Sequence, residues 1–279
     1  MAVEALLAVS ALSVGCRVAR LVVLGDSTAV GVGDPLPAGG WRGFGPLLAA
    51  ALGAPGEVRY TNLSITGARI ADLRSGQLPG AVAAQPDVAV ILAGMNDTLR
   101  SDFDPVALRD DLDIAVTALQ ATGALVLITR FHHHGRVFRL PGPLRRALHH
   151  RIGQLNDAID QVVARYGALC LDLHVMPGTY DIAAWSVDRL HPSERGHRRL
   201  ASGLADLLAG VGIAVPHPVD LTCSGGRPLT AADHLAWLVC HGVPWLVGRG
   251  RDLGPHAVAV VLRDLSGRLR RYRRGVAEL

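Results

Sequence analysis

The chain has 279 residues, 49% hydrophobic but only 4% aromatic, which allows one large α/β domain, or a medium domain with an appendage, around an aliphatic core. No apolar run approaches the ~18 residues that a membrane-spanning helix requires, so we expect no stable membrane insertion. All 28 basic residues are arginines, and much of the net charge of +4 lies in a C-terminal cluster that we interpret as a solvated tail rather than a nucleic-acid site.

The N-terminal segment, residues 1–18, is largely apolar, and Ser13-Val14-Gly15-Cys16 faintly resembles a lipoprotein cleavage site. The basic stretch that begins a secretory signal is missing, and an apolar strand pattern follows almost at once. We therefore expect a packed or frayed N-terminal helix in a cytoplasmic protein, with secretion or lipid anchoring as the alternative. Four widely spaced cysteines match neither a zinc motif nor a disulfide framework, which fits reduced thiols.

Short aliphatic runs alternate with helical patterns over residues 19–214, which we interpret as the main domain. The predicted strands are residues 20–24, 57–63, 87–93, 124–129 and 168–173. The predicted helices are residues 41–52, 70–84, 105–122, 143–166 and 194–211, with Asp104 and Ser193 as N-caps. Strands separated by helices predict parallel βαβ units in a three-layer α/β/α sandwich, whose ligand crevice lies beyond the carboxyl ends of the strands.

The composition changes after Ala214, and residues 215–279 form a C-terminal extension. Pro and Gly turns in its first part predict a linker, and residues 229–246 predict a helix. We expect the extension to pack on the main domain or to dock on a partner or an anionic surface. Its arginine cluster consists of Arg263, Arg268, Arg270, Arg271, Arg273 and Arg274.

Three loops that follow predicted strands carry residues suited to a reaction site. Ser27 follows the first strand, where its hydroxyl would be exposed near a helix N-terminus. Gly67 follows the second strand and would let the backbone approach a ligand closely. Asn96 follows the third strand and can aim an amide at developing negative charge, as an oxyanion hole requires. Taken singly, each of these residues is also explained as part of a turn.

Asp188 and His191 lie three residues apart, before the last helix of the main domain. This spacing can place a carboxylate against Nδ1 of the imidazole and leave Nε2 free to take a proton from a serine hydroxyl. An isolated Asp-x-x-His is common, so this pair is evidence for a reaction site only in combination with the three loops above.

In this order, the five residues resemble the defining blocks of the SGNH hydrolase superfamily, also called GDSL esterases and lipases. The resemblance covers residues 20–211 and departs at Thr28, where the namesake motif has leucine. It implies a flavodoxin-like, five-stranded parallel sheet of order 2-1-3-4-5. It further implies a catalytic triad of Ser27, His191 and Asp188, with an oxyanion hole made by the backbone N–H groups of Ser27 and Gly67 and by the amide of Asn96.

The implied function is hydrolysis of a small-molecule carboxylic ester through an acyl-enzyme, with no cofactor and no metal. Acyl transfer or deacetylation on a sugar or specialised metabolite is one alternative, and a non-catalytic binding protein on the same scaffold is another. The residues expected to support the site or line the crevice, without assigned roles, are Asp26, Thr28, Asp97 and Arg130.

Other patterns suggest different sites or functions, but each is weaker evidence than the five residues above. The tract His132-His133-His134 suggests a metal site, but adjacent side chains on a regular element cannot all face one ion. Because the tract follows the fourth strand, it borders the crevice and can contact substrate. Gly31-x-Gly33 is only a fragment of a dinucleotide fingerprint. Asp172 and His174 also follow a strand, but their spacing fits a triad less well.

Overall fold

Five parallel strands form a sheet of order β2-β1-β3-β4-β5 in the computed structural model, which describes residues 15–138, 140, 142–224 and 258. This confirms the predicted order. β3 is buried at every position and β1 at all but its first, as expected of strands covered on both faces. The strands are β1 (Arg20–Gly25), β2 (Arg59–Asn62), β3 (Val88–Leu92), β4 (Leu125–Arg130) and β5 (Leu169–Asp172).

Helices cover the sheet in two packed pairs, α2 with α8 and α6 with α7. The helices are α1 (Ser27–Val30), α2 (Phe44–Leu52), α3 (Ile70–Asp72), α4 (Leu78–Ala83), α5 (Met95–Thr98), α6 (Pro105–Gln120), α7 (Gly142–Tyr166) and α8 (Glu194–Gly210). A π-helical turn, Leu73–Gln77, joins α3 to α4, and 3₁₀ turns lie at His134–Arg136 and Ile182–Ala184.

The predicted helix boundaries are confirmed where a cap defines them. Asp104 accepts hydrogen bonds from the first turn of α6, and Ser193 accepts one from the first turn of α8. The helix expected from residue 41 begins three residues later, at Phe44. Trp41 instead forms a β-bridge with Pro35, and the backbone at Gly43 is left-handed, with φ of 70°. Periodicity alone does not reveal a local bridge of this kind.

The first part of the C-terminal extension lies against α2 and α8. The N–H of His217 donates to the carbonyl of Ala51 (3.2 Å), and Arg198 donates to the carbonyl of Asp220 (2.6 Å). The carboxylate of Glu194 accepts from both the N–H and the hydroxyl of Ser224, each at 2.7 Å. The expected N-terminal helix before Gly15, the helix over residues 229–246 and the arginine cluster lie outside the described residues. Within the described part of the chain, no helix combines the length and the hydropathy needed to cross a membrane.

Candidate active site

Ser27, His191 and Asp188 meet at the carboxyl edge of the sheet. Nε2 of His191 lies 2.8 Å from Oγ of Ser27, and Nδ1 of the same ring lies 2.5 Å from Oδ2 of Asp188. The imidazole side chain is 21% exposed, so a ligand can reach it from solvent. Hydroxyl, imidazole and carboxylate thus form one continuous hydrogen-bonded line.

The turn after β1 fixes Ser27 at the first position of α1. Asp26 caps this helix, since its Oδ1 accepts from the N–H of Thr28 at 3.0 Å. Asn62, at the end of β2, holds the other end of the helix by donating to the carbonyl of Ala29 at 2.9 Å. The N–H at the first position of a helix has no intrahelical acceptor, which leaves that of Ser27 available to a ligand.

Gln77 holds the end of β1 in place, a role that the sequence pattern did not predict. Its side-chain oxygen accepts from the N–H of Gly25 (2.8 Å), and its side-chain nitrogen donates to the carbonyl of Gly25 (2.9 Å). Gln77 is buried in the π-helical turn, an irregularity that is frequent at functional sites. Position 77 falls on the apolar face that includes Ile70, Leu73 and Ala81, so a polar residue there was the available signal.

Asp188 and His191 lie in a tight loop whose ends are paired. Trp185 and Pro192 form an antiparallel bridge, and the N–H of Ser186 donates to the carbonyl of His191 at 2.9 Å. Oδ1 of Asp188 accepts from the hydroxyl of Ser186 and from the N–H groups of Leu190 and His191. Burial would raise the pKa of Asp188, but the hydrogen bonds and the charge of His191 outweigh it and lower that pKa to about 2. The carboxylate therefore stays ionised at neutral pH.

Asn96 follows β3 and Gly67 follows β2, the two strands that flank β1 in the sheet. Nδ2 of Asn96 donates to the carbonyl of Ala68 at 3.1 Å and lies 3.5 Å from Oδ2 of Asp26. Gly67 has a φ of 83°, which an L side chain rarely adopts, in a turn closed by a hydrogen bond between Ala68 and Ile65. The side-chain amide of Asn96 therefore lies beside the turn that carries Ser27.

Two buried carboxyl groups lie behind the site. Burial raises the pKa of Asp26 to about 7, although the N–H of Thr28 and the charge of His191 oppose this. Burial also raises the pKa of Asp97 to about 6, against the N–H of Ile70, which donates at 3.2 Å, and the guanidinium of Arg69. Both residues are therefore buried, and neither lines the pocket described below, although both were expected to support the site or line the crevice.

Arg130 and the pair Asp172 and His174 form a separate polar group. Arg130 contacts Asp160 on α7 at 3.1 Å and Asp172 at 3.0 Å, and it does not line the pocket described below. His174 bonds through Nδ1 to the hydroxyl of Tyr180 at 2.7 Å. The structure does not bring these side chains to Ser27, whereas Thr28, another expected crevice residue, does line the pocket.

A pocket opens beside the loop that carries His191, and the empty space in it, including the part continuous with solvent, is about 570 Å³. Its lining includes Thr28, which follows Ser27 in the chain, and Leu190 and Pro192, which flank His191. The pocket therefore adjoins the two segments that carry Ser27 and His191. Its polar side chains include His132, His134 and Thr179. Its apolar walls include Leu92, Met95, Phe131, Leu173, Met176, Trp185 and Leu200.

The three histidines after β4 do not converge on one point. Nε2 of His132 lies 3.0 Å from Nδ1 of His134, and both rings are buried. The ring of His133 instead stacks on that of His149, with 3.9 Å between the ring centroids. Within the described residues, no group of three histidine, cysteine or acidic side chains is arranged to hold a metal ion. Two of the three histidines therefore belong to the pocket.

The model of the GDSL-like Lipase/Acylhydrolase family matches residues 23–199. No curated protein matches the sequence. Among solved structures, the acetylxylan esterase Axe2 from Geobacillus stearothermophilus is similar at 20% identity and a TM-score of 0.55, over 77% of this chain and 100% of that one. TesA is similar at 24% identity and a TM-score of 0.54, over 69% and 99% of the two chains. The lipase/acylhydrolase from Enterococcus faecalis is similar at 23% identity and a TM-score of 0.51, over 69% and 96%. At these identities the likeness concerns the fold.

Proposed function

Because the chain belongs to the GDSL-like lipase/acylhydrolase family, we propose that it hydrolyses carboxylic esters through an acyl-enzyme formed on Ser27. The observation that carries this proposal is the hydrogen-bonded line of Ser27, His191 and Asp188, with contacts of 2.8 and 2.5 Å. Each contact lies within the reach that nucleophile, base and orienting group require.

In the proposed reaction, Nε2 of His191 takes the proton of Ser27 as Oγ attacks the ester carbonyl carbon. The tetrahedral intermediate collapses, the bond to the alcohol oxygen breaks, and His191 returns the proton to the departing alcohol. A water molecule then attacks the acyl-enzyme while His191 accepts its proton, and the acid leaves with Oγ reprotonated. Asp188 holds the ring in the required tautomer and stabilises the transient imidazolium.

The developing oxyanion would be bound by the N–H groups of Ser27 and Gly67 and by the side-chain amide of Asn96. Nδ2 of Asn96 has two hydrogens. One is engaged by the carbonyl of Ala68, and the contact of 3.5 Å to Asp26 is too long to hold the other firmly. We assign that hydrogen to the developing oxyanion, because a donor placed where charge develops stabilises the transition state.

The test combines covalent labelling with turnover. A serine-reactive fluorophosphonate should label the wild type at Ser27, and Ser27→Ala should abolish both labelling and hydrolysis of p-nitrophenyl esters. Ser75→Ala is the matched control, since that exposed hydroxyl bonds only the backbone carbonyls of Ala71 and Asp72 among the described residues. Absence of labelling in wild-type protein would favour a non-catalytic binding role on this scaffold.

Deacetylation of a sugar uses the same acyl-enzyme, and the likeness to Axe2 is the reason to include acetylated sugars in the substrate panel. Acyl transfer differs only in the second step, in which an alcohol replaces water as the acceptor. Acceptor-dependent product with negligible free acid would assign the chain to transfer. Release of one equivalent of acid per ester cleaved would assign it to hydrolysis.

A further inference from the structure

Three buried polar atoms of residues that line the pocket have no hydrogen-bond partner among the described residues. They are Nδ1 of His132, Nε2 of His134 and Oγ1 of Thr179, and each of these residues is 3% exposed. Buried polar atoms in native proteins are nearly always paired, with protein groups, with water or with a ligand. These atoms therefore indicate that the pocket receives a polar group, and Nε2 of His134 and Oγ1 of Thr179 are the two considered below.

His134 is oriented by a second buried imidazole. Nε2 of His132 lies 3.0 Å from Nδ1 of His134, so one proton is shared between the two rings. If His132 donates, a neutral His134 carries its own proton on Nε2 and donates into the pocket. If His134 donates, its Nε2 is an acceptor. In both tautomers, His134 offers the pocket one hydrogen bond along a fixed direction.

The pocket is poorly suited to a charged group. Burial lowers the pKa of His134 to about 4 and that of His132 well below its usual range, so both rings are neutral at neutral pH. Arg199 also lines the pocket, but its Nη1 donates to the carbonyl of Gly178 (2.6 Å) and to Asp181 (2.8 Å), so its charge already has a carboxylate partner. A carboxylate or phosphate would therefore find no uncommitted cation among the pocket residues that the structure describes.

A hydroxyl group matches what the pocket offers. It donates and accepts, so it satisfies either tautomer of the His132–His134 pair, and it pairs equally well with the hydroxyl of Thr179. The remaining walls are apolar and suit a short hydrocarbon segment that carries this hydroxyl.

We propose that the part of the substrate that enters this pocket carries a neutral hydroxyl group, bound by Nε2 of His134 and Oγ1 of Thr179. This makes His134 and Thr179 specificity-determining residues, and it rests on the ester hydrolysis proposed above. The hydroxyl has two possible sources, the acyl chain and the alcohol moiety, because both meet at Ser27.

Matched ester pairs distinguish the two sources. In the acyl arm, p-nitrophenyl butanoate is compared with its 3-hydroxy derivative, and p-nitrophenyl hexanoate is compared with its 6-hydroxy derivative. In the alcohol arm, acetates of butanol and hexanol are compared with monoacetates of the corresponding diols. We expect the wild type to prefer the hydroxylated member by about 10- to 100-fold in kcat/KM in one arm, because the analogue leaves two buried polar atoms unpaired.

Variants of His134 and Thr179 test whether these two residues cause that preference. His134→Phe and Thr179→Val should each lose most of it, while His134→Gln, which keeps a hydrogen-bonding group, should retain part. His149→Phe is the matched control, since His149 is exposed and stacks on His133 outside the pocket. If His134→Phe does not fold, the nearly isosteric Thr179→Val decides the question.

The outcomes separate this inference from the proposed function. Labelling at Ser27 and turnover of both members of every pair at equal rates would overturn the hydroxyl proposal alone. It would show that water, rather than substrate, satisfies His134 and Thr179. A preference that persists in both Thr179→Val and His134→Phe would also overturn it. Absence of labelling and of turnover would overturn the proposed function and this inference together.

Discussion

Nε2 of His191 lies 2.8 Å from Oγ of Ser27, although 164 residues separate the two in the chain. Each side chain is held by its own local support. Gln77 brackets Gly25 before the serine, and the bridge between Trp185 and Pro192 closes the loop that carries the histidine. The short contact therefore depends on packing between two separately stabilised loops, and each part can be tested alone.

Asp188→Asn is expected to lower kcat by about 10⁴-fold while leaving the fold intact, because an amide cannot hold the imidazole in the required tautomer. The pKa of Asp188, lowered to about 2, keeps its carboxylate charged throughout the assay range, so the wild type should show no titration from this group above pH 4. Steady-state kinetics with a p-nitrophenyl ester measures the loss. Asp160→Asn, which alters an exposed partner of Arg130, is the control and should keep full activity.

Asn96→Ala should lower kcat by about 10²–10³-fold with little change in KM, since an oxyanion donor acts mainly in the transition state. The same variant should still react with a fluorophosphonate at Ser27, although more slowly. Thermal unfolding establishes that the variant is folded. Wild-type kcat in a folded Asn96→Ala protein would remove the amide from the oxyanion hole.

Much of this site could be predicted because the information is local. A serine directly after a buried strand and an Asp-x-x-His before a helix follow from sequence spacing, and the sheet order followed from the family resemblance. The partners of Arg130 could not be predicted in this way. An arginine at a strand end can contact substrate or carboxylates on neighbouring elements, and three-dimensional packing decides which. Here Arg130 forms ion pairs with Asp160 and Asp172. The role of Gln77 could not be predicted for the same reason, because its partner, Gly25, lies 52 residues away in the chain.

Gly33 places the loop after α1 directly against the loop of His191. Its φ is 100°, and a Cβ at this position would collide with the carbonyl oxygen of Pro192, the residue after the proposed general base His191. Gly33→Ala should therefore displace His191 from Ser27 and lower kcat by more than about 10-fold, because small misplacements of a catalytic group are costly.

Gly39→Ala provides the matched control for Gly33→Ala. Gly39 has a similar φ of 91°, but a Cβ there would meet no atom within 4 Å. Both variants place an alanine at a similar positive φ, so the backbone strain should lower their stabilities by a similar amount. A kcat loss confined to Gly33→Ala would identify the collision as the cause, whereas equal losses would attribute the effect to strain.

Asp26 should make the folded protein less stable as the pH rises. Its pKa is about 7 in the folded state and 3.8 in the absence of burial. Between these values the unfolded chain has lost a proton that the folded protein keeps, so the free energy of unfolding decreases as pH increases through this range. The contribution of the protonated Asp26 carboxyl to the free energy of unfolding is fully present below about pH 4 and is lost once the pH exceeds about 7.

Asp26→Asn removes this titration while keeping an oxygen that can accept from the N–H of Thr28. The variant should therefore gain stability relative to the wild type between pH 4 and pH 8, by at most about 4 kcal/mol. Urea denaturation of both proteins at several pH values measures the difference directly. Asp97 is present in both proteins, and its own pKa of about 6 contributes a decline in the same direction to each curve. Parallel stability curves for the two proteins would show that Asp26 is ionised in the folded state at pH 4 and that burial does not raise its pKa.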